Sequence, residues 1–438
     1  MNAGILTLLL VYGIVILDTQ KRKGTIFDAF FFVMTPYVAI ILINNLLMIY
    51  LGFRPVSDNT ILLHLYALIF FYAGTRVGDY CGYNRPLKVY LYNKRYPNRL
   101  IWSRKASPLK TFLQPVTVKE VDIQKVKLIT AICQIIIALD IVVRVLKYGA
   151  VNFVKGGEYG QTSIPAHLML LIIPLSILLL EDFYKNKDKT SLVLVGSSII
   201  FIFMTFIKYN VISTIIGIFM YFAIRYPKVI VKFGLLVLAV VFGVFILTYV
   251  VSFIIYGTQV EAGFYIKHLW SYLVGGTLNI NMAQLYLGGR VNEFSIFSWL
   301  FQMLTSLPNM FTNKLFGFSF TDYAFAGMLP ELYLGAGGTT SNVVSLLGAG
   351  YIQSNDFFFG IFVFLWGMLV QWVYVRVKES DKVGVQLAGS IFLAFNMLSF
   401  FASFFELPGP WETIIWGLLV GYLIRGKKKE KTVDYLTK

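Results

Sequence analysis

Charge is what this chain has least of. Only 14% of its 438 residues are Asp, Glu, Lys or Arg, where a soluble domain carries about a quarter. That shortage excludes an ordinary water-soluble fold. Two cysteines, Cys81 and Cys133, are too few for a disulfide framework or a thiolate metal centre. Three histidines, His64, His167 and His268, lack metal-ligand spacing. No internal repeat is visible. No pair of Gly/Pro-broken spans stands in corresponding halves, which would mark a repeat-built transporter. One Gly-x-x-x-x-Gly-Lys string runs from Gly421 to Lys427, but Lys428 stands where a phosphate loop needs Ser or Thr. No strand precedes it, so an ATP-driven pump is not expected.

What the chain does have is apolar length: 57% of it is hydrophobic and 17% aromatic. Eleven apolar runs are placed at about 4–17, 27–51, 61–78, 127–146, 168–181, 191–207, 211–224, 234–256, 356–375, 385–403 and 412–424. The longer ones can cross about 30 Å of hydrocarbon as helices, and the shorter ones with their flanks. Backbone groups in lipid must be satisfied within the segment, so these runs are expected to be helical. The alternation of a membrane barrel is absent. The fold class is an all-α integral membrane protein, one polytopic domain over 1–438. The first run, Gly4 to Leu17, has no basic residue before it and no small-residue cleavage site, so it reads as a retained span.

Basic residues near span ends favour the cytoplasm. Thirty of the 38 Lys and Arg fall on one face: the turn at Lys21–Lys23, Arg76, the loop over 80–126 with Lys127, the turns at 185–189, 225–232 and 376–382, and the tail from Arg425. Alternate turns agree. The expected topology has the amino terminus outside, the carboxyl tail inside and the stretch 257–355 outside. The formal net charge of +16 then reads as orientation and contact with anionic membrane lipids, not nucleic-acid binding. The loop at 80–126 reads as a basic cytoplasmic loop.

Eight cations face outward against that bias: Arg54, Arg144, Lys147, Lys155, Lys208, Lys267, Arg290 and Lys314. Arg144 and Lys147 share a helix face, and Asp140 lies four residues before Arg144. They read either as snorkelling side chains with one ion pair or as an anion site. Lys208 stands in a tight turn before Asn210, Ser213 and Thr214. A helix start offers free N–H groups to phosphate, though an ordinary turn lysine fits equally well.

The stretch 257–355 has three basic residues, Lys267, Arg290 and Lys314, and four acidic ones, Glu261, Glu293, Asp322 and Glu331. Phe264 to Leu287 reads as helix with polar interruptions, among them His268, Asn279 and Asn281. Ser295 to Leu304 is apolar enough to lie in the interface or re-enter the membrane. The stretch is expected to hold short or re-entrant helices. Aromatics, amides and hydroxyls beside a few charges suit a sugar, and interfacial aromatic belts share that composition.

In overall organisation, across nearly its whole length, the chain resembles Wzy-type oligosaccharide repeat-unit polymerases of bacterial surface polysaccharides (O-antigen and capsule). Ten or more spans, one dominant late outer loop and a basic inner side carry the resemblance. Locally, Tyr272-Leu-Val-Gly-Gly-Thr-Leu-Asn279 is similar to the stretch that opens the large loop. Gly338-Thr-Thr-Ser-Asn-Val-Val-Ser345, followed by Asp356, is similar to the one that closes it. Where many members carry an arginine in the turn matching Ile207 to Thr214, this chain has Lys208.

The resemblance implies a lipid-donor membrane glycosyltransferase of the GT-C-like kind in the bacterial cytoplasmic membrane. It would join undecaprenyl-diphosphate-linked oligosaccharides at the outer face. A chain-length regulator and a flippase of the same pathway are implied as partners. The leaving diphosphate needs cations, and the acceptor hydroxyl needs a base. Arg290, Lys208 and Arg144, with Lys147 and Asn210 beside them, are the candidates for diphosphate. His268, Glu293 and Glu331 are the base candidates. Asn279, Thr340, Asn342 and Asp356 are the sugar contacts. Neither metal nor cofactor is expected. The alternatives are a ligase using the same donor, or a flippase or other transporter of lipid-linked sugars, which predicts charge deep within the spans.

Overall fold

A computed structural model of the chain describes residues 3–82, 121–149, 163–204, 208–226, 228–256, 262–287, 295–321, 330–335 and 338–424. Among the described residues, the first eight α-helices are α1 (Ala3–Lys23), α2 (Ala29–Leu46), α3 (Asp58–Gly82), α4 (Ile123–Tyr148), α5 (Ile164–Asn186), α6 (Lys189–Phe203), α7 (Lys208–Arg225) and α8 (Lys228–Tyr256). Then come α9 (Ala262–Tyr286), α10 (Ser295–Phe316), the strands β1 (Leu332–Gly335) and β2 (Thr339–Ser341), and α11 (Leu346–Ile352). The chain closes with α12 (Asp356–Glu379), α13 (Val383–Met397) and α14 (Pro408–Leu423). A helix underlies each of the eleven apolar runs.

Local sequence explains where several helices begin. Asp28, Asp122, Ser163, Asp188 and Asn355 each accept a hydrogen bond from a backbone N–H of the first turn they cap, on α2, α4, α5, α6 and α12. Such caps satisfy donors that the helix itself leaves open.

The distribution of apolar side chains is that of a protein solvated by lipid. On α1, Leu6, Leu10, Ile14 and Leu17 form an exposed stripe, and on α4 Leu128, Ile132, Ile135, Leu139, Val142 and Leu146 do the same. A contiguous apolar exterior of this extent is foreign to a soluble monomer. Among the described residues, eight helices are long and apolar enough to cross a membrane, on α1–α5, α8, α12 and α13 with the turn that follows it to Phe400; α6 and the Asn210–Arg225 part of α7 are shorter apolar helices. The chain is an all-α, multi-pass membrane protein.

Glycine lets the tightest pair approach. Gly74, Gly78 and Gly82 recur every four residues on α3, so they form one stripe against α12. A Cβ at Gly74 would stand 2.0 Å from the carbonyl oxygen of Phe364, and one at Gly78 2.5 Å from that of Met368. From the other side, a Cβ at Gly367 would stand 2.4 Å from the Phe71 carbonyl oxygen. Small residues at this spacing bring helix backbones into contact, and packing then holds them where lipid supplies no hydrophobic drive. Gly421, in the string that mimics a phosphate loop, has a packing role: its Cβ would fall 2.1 Å from the backbone of Gly384 on α13.

Successive spans run antiparallel, and their polar contacts mark two ends. At one end gather the basic turns. Lys23 bridges Asp28 and Asp79 at 3.0 and 2.7 Å, and Arg22 and Arg76 reach Asp18 at 2.7 and 3.0 Å. Lys127 meets Asp188 at 2.7 Å, and Arg225 meets Glu181 at 2.9 Å. The other end is capped by α9, α10, the hairpin and α11. On α9, the Trp270 indole donates to Asn44 of α2 at 3.0 Å, and Asn281 bonds Ser57 ahead of α3. The hairpin pairs Leu332 with Ser341 and Tyr333 with Thr340, and a bridge from Gly335 to Phe53 ties it to the α2–α3 connection. That approach requires Gly335: its φ is +98°, and a Cβ there would meet the Gly52 carbonyl oxygen at 2.4 Å.

In the cap, α9 coincides with the helix expected over Phe264–Leu287, whereas α10, at 22 residues, runs well past the apolar segment expected to end at Leu304. α10 buries Ile296, Trp299, Met303 and Leu307 against the bundle and exposes Phe297, Phe301, Leu304, Phe311 and Leu315. An element apolar on both faces, one packed and one open, suits a helix lying in a membrane interface.

Candidate functional site

The α13–α14 connection, Leu398–Leu407, is the floor on which the capped end is built. Buried side chains dominate it, with Phe405 fully enclosed and Glu406 among them. The Trp299 indole of α10 donates to Glu406 Oε1 at 2.8 Å, which satisfies a carboxylate that burial would otherwise penalise. Tyr37 of α2 donates to the Ser399 carbonyl at 2.8 Å.

Between this floor, the start of α7, the middle of α8 and the first half of α9 lies a cavity of about 340 Å³. Ile212, Val241, Phe242, Phe245, Leu269, Leu273 and four residues of the connection, Leu398, Phe400, Phe401 and Phe404, make its wall apolar; Tyr272 contributes the one hydroxyl. Its size is within the range of small-molecule sites. Its outer wall is α8, the least buried of the eight spanning helices, with 11% of its span buried.

His268 adjoins the cavity through Leu269 and Tyr272. Its ring stacks on Phe264 with centroids 4.9 Å apart and meets the edges of Tyr249 and Tyr272 at 4.5 and 5.1 Å. Nε2 is hydrogen-bonded to the Tyr249 hydroxyl. One imidazole thus sits in a cage of rings, with phenol oxygens as its polar neighbours.

A second imidazole stands where the connection enters α14. The Trp411 indole donates to the Phe405 carbonyl at 2.9 Å. The next residue, Glu412, is buried, and its Oε1 lies 2.7 Å from Nδ1 of His167 on the first turn of α5. The same oxygen accepts from Trp416 Nε1 at 2.9 Å. The ring of Phe311, on α10, lies nearly parallel to His167 at 17° with centroids 6.4 Å apart.

A family model matches residues 94–431, that of DUF6337, described as a family of unknown function. The chain belongs to the DUF6337 family. Among curated proteins and among solved structures, nothing matches it. The DUF6337 match takes in the whole cavity and both imidazoles and leaves α1–α3 outside.

The residues singled out in the DUF6337 sequence fall on different elements of the capped end. Arg144 pairs with Asp140 at 2.8 Å, and Lys147 lies over the Tyr148 ring at 4.9 Å. Asn210 is buried in the first turn of α7, and its carbonyl accepts the hydroxyls of Thr214 and Ser213 at 2.6 and 3.1 Å. Val145 and Val211 share one small core, so these ends of α4 and α7 are neighbours. Lys208 opens α7, where only its backbone is described. Arg290 and Glu293 lie outside the described residues, as do Lys155 and positions 83–120 of the basic loop.

Asn279 turns out to be a clamp. It is fully buried on α9, and its amide donates to the carbonyls of Ser341 and Val343 at 2.8 and 2.9 Å, fixing the hairpin. Thr340, Asn342 and Glu331 are exposed on and beside the hairpin. Arg54 lies over the Tyr333 ring at 4.9 Å on the same structure. Asp356 is exposed on the first turn of α12, and its carbonyl accepts from Tyr66 at 3.0 Å. Among the described residues, no three His, Cys, Asp or Glu side chains meet as metal ligands. His167, Glu406 and Glu412 escape a reading by spacing because their partners lie 107 or 245 residues away. Their one signal is two carboxylates beside two tryptophans, Trp411 and Trp416, in an otherwise mostly apolar stretch, Glu406 to Trp416.

Proposed function

We propose that this DUF6337 chain is a membrane glycosyltransferase that polymerises undecaprenyl-diphosphate-linked oligosaccharide repeat units. The observation that carries the reading is the apolar cavity behind α8, next to polar groups at the capped end. A lipid-linked sugar needs that combination: an apolar wall for the carrier and a polar site, shielded from bulk water, for its head. In this reading α6, α7 and α14 cross the membrane as well, giving eleven spans and a GT-C-like architecture. The basic end is cytoplasmic by the positive-inside rule. The amino terminus and the cap are then outside, in the bacterial cytoplasmic membrane. Arg290, Lys208 and Arg144 hold the diphosphate, a chain-length regulator and a flippase act beside it, and no metal takes part.

In the step itself, the acceptor hydroxyl attacks the anomeric carbon of the donor. The bond from that carbon to the diphosphate oxygen breaks, and its electron pair leaves with the lipid diphosphate. Positioned cations stabilise that developing charge. Deleting the chain from cells is the test: single lipid-linked units accumulate at the outer leaflet if it polymerises. Long lipid-linked polymer in the deletion would instead make it a ligase.

A transport reading has one observation in its favour. Glu181 and Arg225 form a buried pair between α5 and α7 near the basic end of the bundle, with Gln386 of α13 accepting from Arg225 at 3.2 Å. Intramembrane charge often lines a path. Here Glu181 also accepts from Lys185, Tyr221 and Tyr226 at 2.9, 2.7 and 2.8 Å, which suits a fixed clamp better than a moving gate.

A further inference from the structure

We infer that His167 is the general base of the transfer and that Glu412 positions it; the inference rests on the glycan-transfer reading above. A carboxylate has no proton to give, so the 2.7 Å contact to Glu412 Oε1 requires His167 Nδ1 to carry the hydrogen. That fixes the tautomer and leaves Nε2 with its lone pair. Glu412 cannot turn away, because Trp416 holds the same oxygen at 2.9 Å and the carboxylate is buried. The His167 side chain keeps 24% of its surface open.

A nucleophile's base is recognised by this arrangement, an imidazole oriented by a third group with its second nitrogen left for the reacting proton. His268 is differently placed, since its Nε2 is already engaged by Tyr249 inside a cage of rings. Phe311, 47% exposed and nearly parallel to the His167 ring, gives a sugar's apolar face a surface beside the base. The same connection serves both places: Phe404 lines the cavity, the Phe405 carbonyl accepts from Trp411, and Glu412 follows.

The ligand at this position is therefore the acceptor sugar. Its hydroxyl proton passes to His167 Nε2 as the oxygen bonds to the anomeric carbon. The electron pair of the broken bond leaves on the lipid diphosphate, and the imidazolium later returns its proton to water.

The experiment uses the full-length protein in vesicles, supplied with lipid-linked repeat units extracted from cells lacking the chain. His167→Gln lowers kcat by about 10²–10⁴-fold with KM unchanged. Glu412→Gln lowers kcat less, and Glu412→Asp restores part of it. Transfer that proceeds normally in folded His167→Gln overturns the inference and leaves the polymerase reading standing. No transfer by the native protein overturns that reading itself. Should the variant not fold, native protein is treated with diethyl pyrocarbonate. Acylation of His167 that tracks the loss of transfer, and is blocked by lipid-linked units, supports the assignment. Full transfer by protein acylated at His167 overturns it.

Discussion

Arg225 and Glu181 meet at 2.9 Å inside the bundle, one on α7 and the other on α5, and both are at most 5% exposed. Removing one partner leaves the other charged and buried. Glu181→Leu strands Arg225 beside only the Tyr221 and Gln386 oxygens and is therefore expected to cost about 3–5 kcal/mol, whereas replacing both, as Arg225→Met with Glu181→Leu, costs much less. Thermal unfolding in detergent reads the difference: a single variant well below the native Tm and a double variant above the single one. Equal losses in the single and double variants would mean that the pair is not coupled.

The α3–α12 contact predicts opposite signs for two identical changes. Gly78→Ala pushes a methyl to within 2.5 Å of the Met368 carbonyl oxygen, and overpacking of this kind costs about 1–3 kcal/mol. Gly196→Ala on α6 meets nothing within 4 Å and gains up to about 1 kcal/mol in helix propensity. Unfolding midpoints of the two variants should fall on either side of the native value.

Asp188 gives a pH dependence. Lys127, bonded to it at 2.7 Å, and Ser191 hold its carboxyl well below the usual carboxylate range. In the unfolded chain it protonates near pH 4. Its contribution is complete above that pH and is lost as the pH falls from about 4 toward the lowered folded value. Asp188→Asn should lower Tm at pH 6, and the gap to the native protein should narrow as the pH falls below 4. A gap that widens in acid would contradict the assigned pairing.

Leu273 lies on the cavity wall, so Leu273→Trp fills part of the space assigned to the lipid carrier. KM for a long-chain polyprenyl donor should rise roughly tenfold, about 1.4 kcal/mol of lost binding. KM for a donor with a short, water-soluble tail should stay the same. Steady-state assays with the two donors separate these outcomes.

Much of this architecture can be read from the chain. Each apolar run became a helix because backbone groups in lipid have few other partners. The basic turns gathered at one end, and the Asp140–Arg144 pair formed at its four-residue spacing. The glycines at 74, 78 and 82 carry a legible packing signal, since small residues four apart mark a close helix contact. The site is less legible. Asn279 resembles a ligand-binding amide in sequence and proves to be a buried clamp, because only tertiary pairing brings Ser341 and Val343 to it. His167 and Glu412 are joined across 245 residues by the fold of α5 against α14, which no local spacing encodes. Glu412, moreover, opens a run that reads as a plain membrane span.

The most direct test of the account is product analysis with the purified chain in sealed vesicles. Lipid-linked repeat units, labelled in the sugar, are supplied on the side that carries the cap. The account predicts a ladder of lipid-linked glycans rising by one repeat unit per step, with one undecaprenyl diphosphate released for each new linkage. Units that cross the bilayer at their original length, with no lipid diphosphate released, would contradict it.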